Sequence, residues 1–255
     1  MQAIDLKAVA TRFDLSGKVA LVAGGAVGMG KASALVLAEA GARVVIADDS
    51  NRIGTLAELP TGVTTQALDF ASESEIDATV DAVVGTCGGI DILVNGAVMN
   101  HNKGLLEIGA EEWDQVQAFN LKAGFLLAKA VIPKMQARGG GRIISISTMG
   151  SIHPVLNGNS AYGSSRAGLN QLMRNIALDF AADHITANAI LPGAIVTETI
   201  SSGFRPTGPG ADPTRHLGGY GKPADIEGLV LLLAGPAGGY ISGQSIAVDG
   251  GFLIS

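Results

Sequence analysis

The sequence predicts an α/β fold: a single domain over residues 1–255, built on a doubly wound parallel β-sheet with helices on both faces. Three observations predict it. Short β-rich runs alternate with helical stretches, the pattern of right-handed βαβ units. The strands read as continuous apolar runs, as a sheet covered on both faces requires. Hydrophobic residues make up 47% of the 255 and charged ones 16%, enough apolar material for one large core.

The elements follow in order. KVALVAG, residues 18–24, reads as a buried strand, and KASALVLAEAGA, residues 31–42, as a helix ending at a glycine. RVVIAD (43–48), VTTQALD (63–69) and IDILVNG (90–96) supply the next three strands. GRIISIS (141–147) and ITANAILPG (185–193) continue the series, and QSIAVDGG (244–251) closes it. No repeat, linker or second domain interrupts them. The one shift in composition is residues 197–221, rich in Gly and Pro and weak in periodicity. A long irregular segment inside a compact domain reads as a flexible substrate lid or as a surface loop.

Composition excludes several classes of function. The net charge is −6, with no basic tract and few aromatics, which argues against nucleic-acid binding. MQAIDLKAVATRFDLSGK spaces charges every few residues and has no apolar h-region, so it does not read as a signal peptide. Apolar runs such as LVLLLAG are too short to span a bilayer. One cysteine, Cys87, fits a reducing compartment, and a cytoplasmic location is expected. The four histidines (101, 153, 184, 216) lack ligand spacing, so no metal site is expected.

AGGAVGMG, residues 23–30, lies between the first strand and the first helix. Gly24, Gly28 and Gly30 bracket this turn, with Met29 inside it. Glycines let the backbone approach a pyrophosphate, and the N–H groups of a helix N-terminus face its charge. The spacing is G-x-x-x-G-x-G, and the flanking elements are those a dinucleotide site of Rossmann type requires. Asp48 closes the second strand about 20 residues on, where an acid binds both ribose hydroxyls and repels a 2′-phosphate. The cofactor predicted is therefore NAD(H) rather than NADP(H). Asp49 is the rival for the ribose, and an inward-pointing Arg52 would soften the preference. Asp69, followed by Phe70, either meets the adenine or caps a helix; the adenine role is preferred.

AYGSSRAG, residues 161–168, places Tyr162 one helical turn before Arg166. A phenol with an unperturbed pKa of about 10 is a poor base near neutrality. A fixed cation beside it favours the phenolate.

From about Leu15 to Phe252 the chain resembles the short-chain dehydrogenase/reductase family. The motifs that carry the resemblance are AGGAVGMG, LVNGA, FNLKAGF, GRIISIST, AYGSSRAG, NAILPGAIVT and GKPADI with ISGQSIAVDGG. The resemblance implies Tyr162 as acid/base, Thr148 holding the substrate oxygen, Asn120 supporting a water in the proton path, and Arg166 at the position of the family's lysine. It implies Asn95, Gly96 and Ala97 along the adenosine ribose, and Pro192, Gly193, Ile195 and Thr197 around the nicotinamide. The reaction implied is hydride transfer between NAD and a secondary alcohol or ketone, in a homotetramer.

Departures from the family pattern define the open questions. Arg166 keeps the positive charge but cannot release a proton. Thr148 stands where serine is usual, fourteen residues before Tyr162, so Ser147 remains an alternative. Gly96 and Val98 replace an asparagine and a glycine, and Ala23 replaces a frequent threonine. A Tyr–Arg pair also resembles the halohydrin dehalogenases, which bind no nucleotide; a dehalogenase or lyase, or an NAD-binding protein with weak catalysis, are the alternative functions. The substrate pocket is expected among Met149, His153, Leu156, Asn157, residues 98–100 and the 197–221 segment.

Overall fold

A computed structural model describes residues 6–198 and 206–255. Among them, parallel pairing joins β1 (Val19–Ala23), β2 (Arg43–Asp48), β3 (Val63–Ala67), β4 (Ile92–Asn95), β5 (Gly141–Ile146), β6 (Ile185–Pro192) and β7 (Ser245–Val248) into one sheet of order β3-β2-β1-β4-β5-β6-β7. Each predicted strand run is present. The order reverses between β1 and β4, so a crevice opens at the carboxyl ends of these two strands.

β1 shows why these strands are apolar throughout. Val19, Leu21 and Ala23 face one core, whereas Ala20 and Val22 face the other, since side chains alternate along a strand. The first core is closed by α4 (Glu73–Cys87), α6 (Ala123–Ala137) and α7 (Ser160–Asp179) through residues such as Val80, Leu127 and Leu169. The second is closed by α2 (Gly28–Glu39) and α8 (Glu227–Ala234) through Leu37, Val230 and Leu233. β3 departs from the expected pattern: Val63 is buried and the next four residues are exposed, because β3 lies at the sheet's edge. No helix among the described residues is long and apolar enough to cross a membrane.

The 197–221 segment is tied down over its later part. It makes 3₁₀ turns at Pro209–Ala211 and Pro213–Arg215, and His216 is buried beneath it. The His216 ring stacks on Phe252, with centroids 5.0 Å apart, and its nitrogens face the carbonyls of Gly210 and Asp249. Arg215 lies over the other ring of this cluster, 4.6 Å from the Phe252 centroid. Residues 199–205 of the expected lid lie outside the described residues.

Candidate active site

The turn after β1 depends on two close approaches that glycine permits. A Cβ on Gly24 would sit 2.5 Å from the Ala97 nitrogen, and Gly24 has φ +75°. A Cβ on Gly30 would sit 2.0 Å from the Gly24 carbonyl oxygen. The turn is thus folded against the end of β4 and against its own helix, and Gly96 N–H donates to the Ala23 carbonyl at 2.7 Å. Asn95 accepts from the Ala97 N–H. These contacts bring Gly24, Gly96 and Ala97 together, and leave a backbone cradle at the N-terminus of α2. Val27 at the N-cap provides no side-chain hydrogen bond, and the first turn of α2 holds no acidic residue.

Asp48 sits at the tip of β2, fully buried. Its Oδ2 accepts from the Ala26 N–H at 2.9 Å and its Oδ1 from the Asp49 N–H at 2.8 Å. The Arg52 guanidinium does point inward, 3.7 Å from Asp48 Oδ1. Asp49 caps the short helix α3 (Ser50–Ile53) by accepting from Asn51 N–H, which separates the two rivals for the ribose. Asp69 is exposed and accepts from the Ala71 N–H one turn before α4, while the Phe70 ring is sealed in the core against Phe119. Any cofactor contact from residue 70 would therefore come from its backbone.

The chemical end is assembled by α7 and the helix that precedes it. Between α5 (Ala110–Gln117) and α6 the chain makes a π turn, Ala118–Lys122, an insertion that marks many functional sites. Asn120 lies in it, 1% exposed. Its amide clasps both backbone groups of Met99 at 2.8 Å and donates to Ser165 at 3.1 Å. Its Oδ1 also accepts from Arg166 at 3.3 Å. Ser165, in the middle of the Tyr–Arg motif, is a member of this network that the sequence did not single out.

Arg166 is 1% exposed, and its Nη2 donates to the Ala97 carbonyl at 2.6 Å. Its Cζ lies 5.4 Å from the Tyr162 ring centroid. Desolvation pushes the Arg166 pKa below the ordinary arginine value, with the Tyr162 phenol acting in the opposite direction. Nε and Nη1 are buried without a hydrogen-bond partner. Buried donors are rarely left so, and two of them beside a glycine cradle fit the hydroxyls of a nucleotide ribose. Thr148 is half-buried and its hydroxyl accepts from Gly150 N–H, whereas the Ser147 hydroxyl is buried and directed at the Arg166 carbonyl, 3.4 Å away. Of the two, Thr148 is the more exposed.

A family model described as enoyl-(acyl carrier protein) reductase matches residues 24–253. The chain belongs to the short-chain dehydrogenase/reductase family. This short-chain dehydrogenase/reductase is 37% identical over 252 residues to a 7alpha-hydroxysteroid dehydrogenase of Clostridium sardiniense, covering 94% of this chain and 95% of the relative. It is 34% identical to the 3-oxoacyl-[acyl-carrier-protein] reductase FabG of Thermotoga maritima, covering 94% and 99%. A crystal structure described as a candidate gluconate dehydrogenase of Agrobacterium tumefaciens superposes with a TM-score of 0.87 at 32% identity, covering 96% and 99%. The family binds a nicotinamide coenzyme, and its members include oxidoreductases that act on CH–OH donors, such as the hydroxysteroid dehydrogenase above.

Around Tyr162 the expected substrate walls divide by exposure. Met149 packs in a small core with Val155 and Phe252, so its side chain is structural. Val98 and His153 are exposed, and Asn157 binds Thr207 through both backbone and side chain. Pro192 is buried at the end of β6, and Ile195 is buried where the chain bridges to Gly221. A Cβ on Gly193 would sit 2.7 Å from Asp249 Cα. Thr197 rests on Gly28, its methyl 3.2 Å from where a Cβ would stand. Glu198 accepts from the Gly28 N–H at 3.1 Å, a contact between residues 170 apart that no local signal announces. Among the described residues no group of three or more His, Cys, Asp or Glu could hold a metal ion.

Proposed function

We propose that this protein is an NAD(H)-dependent oxidoreductase that interconverts a secondary alcohol and a ketone, with Tyr162 as acid/base. The observation that carries the reading is the pairing of Tyr162 with a buried guanidinium that has two nitrogens, Nε and Nη1, still free to donate. Gly24, Gly28, Met29 and Gly30 would cradle the coenzyme's pyrophosphate, and Asp48 its adenosine ribose, with Asn95, Gly96 and Ala97 beside it. Arg166 would hold the second ribose, and the run from Pro192 to Thr197 the nicotinamide. When bound, the nicotinamide supplies or accepts the hydride.

In the chain itself, Tyr162 gives or takes the proton of the substrate oxygen, and Thr148 holds that oxygen in line by a hydrogen bond. Arg166 stabilises the phenolate form without passing the proton on, because a guanidinium does not deprotonate at ordinary pH. Asn120 fixes the loop after β4 and the Arg166 head in one network, so it positions the cation. Titration with NADH, followed by turnover on a panel of alcohols and ketones, tests the whole reading. Halide release from a haloalcohol without nucleotide would replace it.

Two variants probe its weakest links. Arg166→Lys restores a group that can relay a proton. We expect the pH optimum of oxidation to move or its rate to rise; an unchanged pH–rate profile would remove residue 166 from the reaction path. Arg52 beside Asp48 favours a second reading, in which NADP(H) is also accepted. Asp48→Ala should weaken NADH more than NADPH, by about tenfold for one lost charge-assisted contact. Equal losses for the two coenzymes would take the ribose role from Asp48.

A further inference from the structure

We propose that Glu198 sets the coenzyme affinity of the turn after β1 by competing, as an internal carboxylate, with the coenzyme's pyrophosphate. The inference rests on the reading above that this turn receives a dinucleotide. α2 is twelve residues long, and its first turn has neither an acidic residue nor a capping side chain to meet its N–H groups. Glu198 Oε2 takes that place on the Gly28 N–H, at 3.1 Å. Gly28 has φ +54°, which turns this N–H out of the regular helix pattern, and Thr197 packs directly against it.

A carboxylate and a phosphate want the same donors, and the positive end of a helix favours both. They cannot share one N–H group, and as like charges they repel when close. Coenzyme binding therefore exchanges one anion for another instead of filling a vacant donor. Glu198 is an exposed residue, so solvent reaches its carboxylate when it is displaced. Coenzyme release gains what binding loses, because the carboxylate returns to the donor as the phosphate leaves. Where coenzyme release limits turnover, such a residue trades affinity for exchange rate.

The test uses the full-length chain and Glu198→Gln, which keeps length and shape and removes the charge. NADH and ADP-ribose carry the pyrophosphate; adenosine does not. We expect Glu198→Gln to bind NADH and ADP-ribose about three- to thirtyfold more tightly, the range for a charge at a helix N-terminus, and adenosine no better. Glu198→Asp, one methylene shorter, should give a smaller gain in the same order. Unchanged affinity for NADH and ADP-ribose in both variants overturns the proposal. So does an equal gain for adenosine, which would place the effect away from the phosphates. If the unaltered protein fails to bind NADH at all, the dinucleotide reading itself falls, an outcome distinct from the other two.

Discussion

Tyr162→Phe removes turnover, with kcat lowered about 10²- to 10⁴-fold, the range for loss of a general acid/base. NADH binding persists. Phenylalanine keeps the ring that lies 5.4 Å from the Arg166 guanidinium, so the packing of α7 is preserved. The backbone carbonyl of residue 162, which accepts from the Ser165 hydroxyl at 2.7 Å, is unaltered. What disappears is the hydroxyl proposed to exchange a proton with the substrate. Steady-state kinetics beside an NADH titration read the two effects separately. A variant with full turnover would transfer the acid/base role to another group, and Thr148 cannot fill it, since an aliphatic hydroxyl is a far weaker acid than a phenol.

The second large effect is on Gly30. In Gly30→Ala the new methyl would stand 2.0 Å from the Gly24 carbonyl oxygen, a distance no real contact has. The obstacle is backbone, so no side-chain rotation relieves it. The turn must open, and with it the contacts of Gly24 with Ala97 and of Gly96 with Ala23. We expect destabilisation of about 2–3 kcal/mol, as for overpacking of a rigid interior, and loss of NADH binding. Gly228→Ala is the matched control, because nothing lies within 4 Å of a Cβ there and the residue is in α8. That change should be neutral or stabilise by up to about 1 kcal/mol through helix propensity. Thermal denaturation of the pair is the measurement, and equal melting temperatures would show that the turn tolerates a side chain.

Much of this molecule can be read from local pattern. The strands announce themselves as apolar runs, because a covered sheet needs apolar residues on both faces of each strand. The glycine turn is legible because spacing and flanking elements agree. The pairing of Tyr162 with Arg166 follows from one helical turn. What local pattern does not carry is long-range engagement. That Asp48 spends its carboxylate on Ala26 N–H, and that Glu198 reaches Gly28, depends on how distant segments meet. The same holds for residues 206–221, whose Gly- and Pro-rich composition suggests looseness. His216 and Arg215, stacked on Phe252, give the segment an anchor supplied from the other end of the sequence. β3 reads as one more buried strand until its place at the sheet edge is known.

The Arg166 head has a thermodynamic consequence. Its hydrogen-bond partners, the Ala97 carbonyl and the Asn120 amide, are neutral, and two of its three nitrogens have none. Such burial lowers the resilience of the empty protein. A polyhydroxylated ligand that supplies acceptors to those groups binds the native chain and not the unfolded one, so mass action ties resistance to heat to ligand supply. A cell rich in dinucleotide would thus keep more of this polypeptide intact than a starved one, and melting curves at graded NADH would trace that dependence.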